Sequence, residues 1–193
     1  MASTPAVMPL GSASPTAAQT RIIDAALALF AEHGISGTSL QMIADEIGVT
    51  KAAVYHQYNT KDEIVGAVAE VVLTGLEAAV TAAMAERSRV RSRDVLVAGM
   101  IDLAVAQRRM AGILQQDPVM LRFLQEHGPF RRVIERVNRV LMGGASDARA
   151  AVLAAAISGA IAGTVTHPLV ADLDDASLRL QLRRHVGRLL PSR

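Results

Sequence analysis

From Gly48 to His56 the chain reads GVTKAAVYH, and its chemically able side chains are a hydroxyl, an amine, a phenol and an imidazole: Thr50, Lys51, Tyr55 and His56. Such a set suits recognition of phosphate oxygens and base edges, because all four can donate hydrogen bonds and the small Ala52 beside them lets another surface approach closely. A few residues later, Thr60-Lys61-Asp62-Glu63 has the form of a capping box, which opens a helix and places Lys61 and free backbone amides where a phosphate could sit. Lys51 and Lys61 supply the local positive charge.

Catalysis has no comparable footing. The chain lacks a G-x-G-x-x-G, a P-loop and a G-x-S-x-G, and its five histidines, at 33, 56, 127, 167 and 185, do not fall at metal-binding intervals. Cysteine is absent, which removes disulfides, thiolate metal sites and thiol nucleophiles. We therefore expect no enzyme activity, no cofactor and no metal.

The elements that must hold these residues read as helices. Ile23, Ala26, Leu27 and Phe30 recur at helical spacing within Gln19–His33, and Gly34 closes that run. Thr38-Ser-Leu-Gln41 reads as a capping box, followed by a second stripe of Leu40, Ile43, Ala44 and Ile47. Gly48 can take the left-handed conformation that ends a helix, and Thr50 caps the next after a turn of about three residues. This is helix-turn-helix spacing. In the short third helix, Lys51 to His56, Val54 points inward with Val49, leaving Thr50, Lys51, Ala52, Tyr55 and His56 on the outer face. The same three helices would also suit an ordinary bundle with Tyr55 and Tyr58 merely packing.

Half of the residues are hydrophobic (51%), yet there are only three Phe, two Tyr and no Trp, so the core must be built from Ala, Leu, Ile, Val and Met. That composition favours an all-α fold. The sequence pI near 9.5 hints at an anionic partner, but residues 1–65 carry three cations against six carboxylates, and the basic excess lies beyond them. Bulk charge thus speaks only weakly for DNA. Residues 1–18, uncharged and rich in Ala, Ser, Thr and Pro, are expected to form a disordered tail rather than an export signal, since no basic residue precedes Arg21.

The stretch Arg21 to Val65, RIIDAALALFAEHG then GTSLQMIADEIGV then TKAAVYHQYNTKDEIV, resembles the tetracycline-repressor (TetR) family of bacterial regulators. The resemblance covers about 45 residues without a gap. It implies a helix-turn-helix DNA-binding domain over 19–65, a helical regulatory and dimerisation domain over 66–193, and about nine helices in all. It further implies a cytoplasmic, ligand-responsive homodimer on double-stranded, near-palindromic operator DNA, acting as a repressor until a small-molecule effector releases it. By position, Thr38 and Gln41 would contact the DNA backbone. Thr50, Lys51, Ala52 and Ala53 would face the groove, Tyr55 and His56 would hold phosphate or base edges, and Lys61 would grip phosphate. Tyr58 would fill an aromatic core position.

Beyond residue 65 the pattern predicts a long helix from Lys61 to about Arg87, then helices at Val95–Met110, Asp117–His127, Pro129–Leu141, Asp147–Thr166 and Asp174–Leu190. Met100, Leu103, Met110, Met120, Phe123 and Leu124, with Met142, could line an adaptable, largely apolar effector pocket, although plain core is open to each of them. Arg108, Arg109 and His127 are candidates should the effector be anionic. The Ala- and Gly-rich helix after Asp147 is flat enough for very close packing, so Ala156, Gly159, Ala160 and Gly163, with Leu178, Leu182 and His185 of the last helix, are assigned to a four-helix dimer interface. A buried intrachain helix would use the same small residues. Spanning a membrane is the poorer reading of this helix, because its apolarity comes from Ala and Gly rather than Leu, and no membrane partner is expected.

Overall fold

The computed structural model describes residues 15–144 and 147–190, and within them it forms ten α-helices and one short 3-10 turn with no strand. The all-α class is as the composition implies. Helices α1 (Ala17–Gly37), α2 (Leu40–Glu46) and α3 (Lys51–Gln57) form the N-terminal unit, and α4 (Lys61–Met84) leaves it as a long strut. The rest comprises α5 (Arg89–Ala106), α6 (Arg108–Gln116), α7 (Pro118–Glu126), α8 (Gly128–Met142), α9 (Ala148–Val165), the 3-10 turn Pro168–Val170, and α10 (Asp175–Val186).

Capping explains most of the boundaries. Thr16, Ser39, Thr50, Thr60, Asp117, His127, Asp147 and Asp174 each accept a backbone N–H of the helix that follows. Each such cap contributes about 1 kcal/mol and fixes where its helix begins. The cap at Thr16 corrects one expectation: α1 starts inside the stretch read as tail, while residues 1–14 of that stretch lie outside the described residues. Gly34, at φ 72°, interrupts α1 as its position suggested, and one further turn follows before α2.

One more helix is present than the pattern predicted. The segment read as a single helix, Val95–Met110, breaks at Gln107, whose φ and ψ are −119° and 45°. Neither Gly nor Pro marks the break. Tertiary burial accounts for it, because an unbroken helix would carry Arg108 in phase with Val97, Ile101 and Val105, all buried. The break turns Arg108 toward Asp175 of α10, 2.7 Å away, and the Leu173 carbonyl, leaving it partly buried.

A continuous core runs from the N-terminal unit through α4 into α5–α10. The α4–α5 crossing is close because it meets at glycines. A Cβ on Gly75 would lie 2.5 Å from a Leu103 methyl, and one on Gly99 would lie 2.8 Å from the Ala79 Cβ. The last helix is tied down by charge as well, with Nη2 of Arg183 donating to both carboxylate oxygens of Asp102 on α5 at 2.8 and 2.9 Å.

Candidate nucleic-acid interface

The N-terminal unit puts its polar side chains on one outer surface by burying the residues between them. Val54 is fully buried and Tyr58 nearly so, which anchors α3 on its inner side. Thr50, Lys51, Ala52, Ala53, Tyr55 and His56 are all exposed. Gly48, at φ 67°, makes the turn between α2 and α3, and the Thr50 hydroxyl accepts the Ala53 N–H at 3.2 Å. Lys51 is held over the Tyr55 ring, its Nζ 5.6 Å from the centroid. This cation–π contact restrains two long side chains at the N-terminal end of the helix that would enter a groove.

Arg21 of α1 donates to the Ile47 carbonyl at 2.9 Å, which puts a guanidinium at the C-terminal end of α2 and braces the turn. Sequence reading had given Arg21 no role. Beside it, Ala18, Arg21, Ile22, Ile47, Val49, Ala53, His56 and Gln57 line a shallow groove of about 180 Å³ between α1 and α3.

Three of the residues expected at DNA sit differently. Thr38 does not cap α2; Ser39 does, accepting the Met42 N–H. Thr38 is 2% exposed and its hydroxyl donates to the Gly34 carbonyl at 2.8 Å, so it closes the bend after α1 and offers nothing to a phosphate. The Thr-x-x-Gln spacing misleads by one residue because Ser39 is an equally good cap. Gln41 stays exposed but does not reach back, donating to Asp45 at 2.7 Å instead. Lys61 is half-buried, and its Nζ donates to the carbonyls of Ile35 at 2.7 Å and Thr38 at 3.0 Å. Two of its three N–H bonds are thus committed to the bend, leaving one for a phosphate. The box at the head of α4 is shifted too: Thr60 accepts the Glu63 N–H, while the Glu63 carboxylate reaches the Asn59 N–H at 2.8 Å.

Tyr58 occupies the core as expected. Burial raises its phenol pKa above the ordinary value of 10.0, and the Glu63 charge pushes in the same direction.

Farther along, Met100, Met110, Met120 and Leu124 are buried, and Leu103 and Phe123 pack against them. They stand as core in this structure, with Leu103 covering Gly75 and Phe123 lying 3.5 Å from the Cβ position of Gly66 on α4. His127 is a helix cap, its Nδ1 accepting from Phe130, and it stacks on Phe123. Arg108 is paired with Asp175, so of the three candidates for an anionic ligand only Arg109 is exposed, beside a groove of about 260 Å³ between α1 and α6–α7.

The residues assigned to a dimer interface divide in two. Leu178 and Leu182 are 1% and 4% exposed and pack inside the chain, because Asp174 starts α10 in a phase that turns them toward the core. They are corrected to core positions. Gly163 faces Gln115 of α6, 3.7 Å from its Cβ position. Ala156, Gly159 and His185 are exposed and Ala160 half-buried, and the apolar residues standing beside them in sequence are Val152 (69% exposed) and Leu180 (65%).

A helix-turn-helix unit whose third helix offers cationic, phenolic and hydroxyl groups outward, joined by one long helix to a larger helical body, defines a class: two-part, all-helical DNA-binding proteins. Residues 22–68 match the family model described as bacterial regulatory proteins, tetR family. That match covers the N-terminal unit and the start of α4. It is 50% identical over 48 residues to the HTH-type transcriptional regulator SrpR of Pseudomonas putida, a match covering 25% of this chain and 22% of that protein. It is 31% identical over 75 residues to the HTH-type transcriptional repressor KstR2 of Rhodococcus jostii, covering 33% and 37%. These matches span well under two thirds of the relatives' own lengths. The whole fold is shared with the ketosteroid transcriptional regulator KstR2 of Mycobacterium tuberculosis, at TM-score 0.72 and 16% identity over 93% of this chain and 98% of that one.

Proposed function

We propose that the protein is a non-enzymatic transcriptional regulator that binds operator DNA as a homodimer, with α3 in the major groove. The observation that carries this reading is the outer face of α3. Thr50, Lys51, Tyr55 and His56 project from a helix fixed by buried Val54, with the small Ala52 and Ala53 allowing the helix to lie close to base edges. Lys51 and Tyr55 act together at the N-terminal end, and the remaining N–H of Lys61 reaches a phosphate. Gln41 makes a flanking backbone contact after releasing Asp45. Repression is supported by the names of relatives, which include transcriptional repressors.

The homodimer forms through the exposed face of α9, where Val152, Ala156, Gly159 and Ala160 lie, together with Leu180 and His185 of α10. In support, α9 is apolar enough in composition to cross a membrane, yet only 28% of its apolar window is buried within the chain. A second copy would cover that face. The effector is a largely apolar small molecule that enters between α4 and α5–α7 by displacing side chains such as Leu103, Met110, Met120 and Phe123. It shifts the dimer between arrangements that do and do not match operator spacing. The same reading puts the protein in the cytoplasm.

The test is selection of purified protein on a random DNA pool, with a Lys51→Ala, Tyr55→Ala double variant in parallel. A two-fold symmetric site enriched by the native protein and lost in the variant is the expected result. Enrichment of no site by the native protein, at several salt concentrations, defeats the reading.

A further inference from the structure

The bend between α1 and α2 is held from two sides through a single residue. The Ile35 carbonyl accepts from Lys61 at the head of α4, and the Ile35 N–H donates to the Asp117 carboxylate, whose Oδ2 lies 2.8 Å away across 82 positions of sequence. The other oxygen of Asp117 is engaged elsewhere, since Oδ1 accepts the N–H groups of Val119 and Met120 and so caps α7. Among the described residues, no other side-chain hydrogen bond joins α1–α3 to α5–α10.

We propose that Asp117 is a positioning residue for DNA binding: one carboxylate oxygen starts α7, and the other sets the helix-turn-helix by fixing the Ile35 peptide. The inference rests on the DNA-binding reading above. Geometry explains why the bend is the place to act. Ile35 is fully buried, Gly34 before it is in the left-handed region, and Thr38 after it returns a hydrogen bond to Gly34. The next residue, Ser39, caps α2, and α2 carries α3. A movement of the Ile35 peptide therefore re-aims Lys51 and Tyr55 without touching either. Chemistry explains why an aspartate is needed. A serine or threonine caps a helix as well, but it has one oxygen and a shorter reach, so it can serve α7 or Ile35 and not both. The carboxylate also makes both sets of bonds charge-assisted. Because α7 carries Met120, Phe123 and Leu124, a displacement of its first turn is passed by Asp117 to the Ile35 peptide, alongside the apolar packing of α1 on α6 and α7.

The variant that separates the two duties is Asp117→Ser, which retains a cap for α7 and removes the acceptor at Ile35. Three readings are taken on the full chain: peptide-resolved hydrogen exchange, thermal unfolding, and affinity for the site selected from the random pool. Expected are exchange at least about tenfold faster over residues 35–40, exchange over 118–126 within about twofold of native, and operator affinity lowered by roughly tenfold. The salt dependence of binding should keep its slope, since no phosphate contact is lost. Unchanged exchange over 35–40 overturns the proposal, as does faster exchange with undiminished affinity. If Asp117→Ser does not fold, Asp117→Asn, with a single acceptor oxygen, is read by the same criteria. If the native protein selects no DNA site, the functional reading fails by itself, while the exchange data still report whether Asp117 holds the bend.

Discussion

The helix-turn-helix and the α9–α10 pair are both helical and both rich in small residues, yet they solve opposite problems. In α1–α3 each helix buries a narrow stripe, Ile22, Ile23 and Ala26 or Ile43 and Ala44, and leaves its polar side chains outward. On the proposed function, the exposed residues of α3 are the ones that meet DNA. In α9 the buried stripe of Ala154, Ile157, Ile161 and Val165 is backed by a second apolar face, bearing Val152, Ala155 and Ala156, that nothing among the described residues covers. A polar outer face suits water or an anion, whereas an apolar one suits burial against another surface, which on the proposed function is a second copy of the chain.

That contrast can be broken most forcefully at Leu182, which belongs to the core side of α10. Leu182→Ala should lower unfolding stability by about 3 kcal/mol in thermal or denaturant melts, whereas Val152→Glu on the open face of α9 should leave the monomer folded and shift sedimentation from dimer toward monomer. Equal effects on stability from the two changes would erase the distinction between the faces. On the DNA side, Lys51→Ala with Tyr55→Ala should weaken operator binding by roughly 100-fold, from two lost contacts each worth about 1–2 kcal/mol, at unchanged melting temperature.

A smaller effect separates the corrected residue from its neighbours. Thr38→Val removes a buried hydroxyl that serves the bend and should cost about 1 kcal/mol of stability with little change in the salt slope of binding. Thr50→Ala should cost a similar amount of stability through the lost cap and also weaken binding. The smallest effect is one of pH. The folded phenol of Tyr58 ionises above 10.0, its ordinary value, so the folded state holds the proton more tightly than the unfolded chain. Stability should then fall as pH rises through and beyond 10, and Tyr58→Phe should flatten that decline in alkaline melts. A decline of the same steepness in the variant would assign it to other groups.

Much of the outer face of α3, which we propose reads DNA, was legible because local rules govern it. Apolar spacing fixed which side of each short helix faces in, Gly34 interrupted α1 and Gly48 made the turn after α2 where positive φ was needed, and Thr50 and Thr60 capped where they stood. Thr38 shows the limit of such rules. With two hydroxyl residues side by side, only the path of the chain decides which one caps and which is buried. Lys61 shows it again, since its partners Ile35 and Thr38 are more than 20 positions away.

By itself, then, the sequence determined the all-α class, the order of the helices, the N-terminal motif and the outward residues of α3, all consequences of periodicity and capping over a few residues. Tertiary structure decided the break at Gln107, the burial of Leu178 and Leu182, the packing of the methionines as core and the reach of Asp117 to Ile35. Each of these depends on what a distant helix presents: a carboxylate for Arg108, a floor for α10, a glycine under Leu103, an unpaired amide for Asp117. Helical periodicity says that a residue shares a face with its neighbours, but it takes the packed partner to say whether that face is inside.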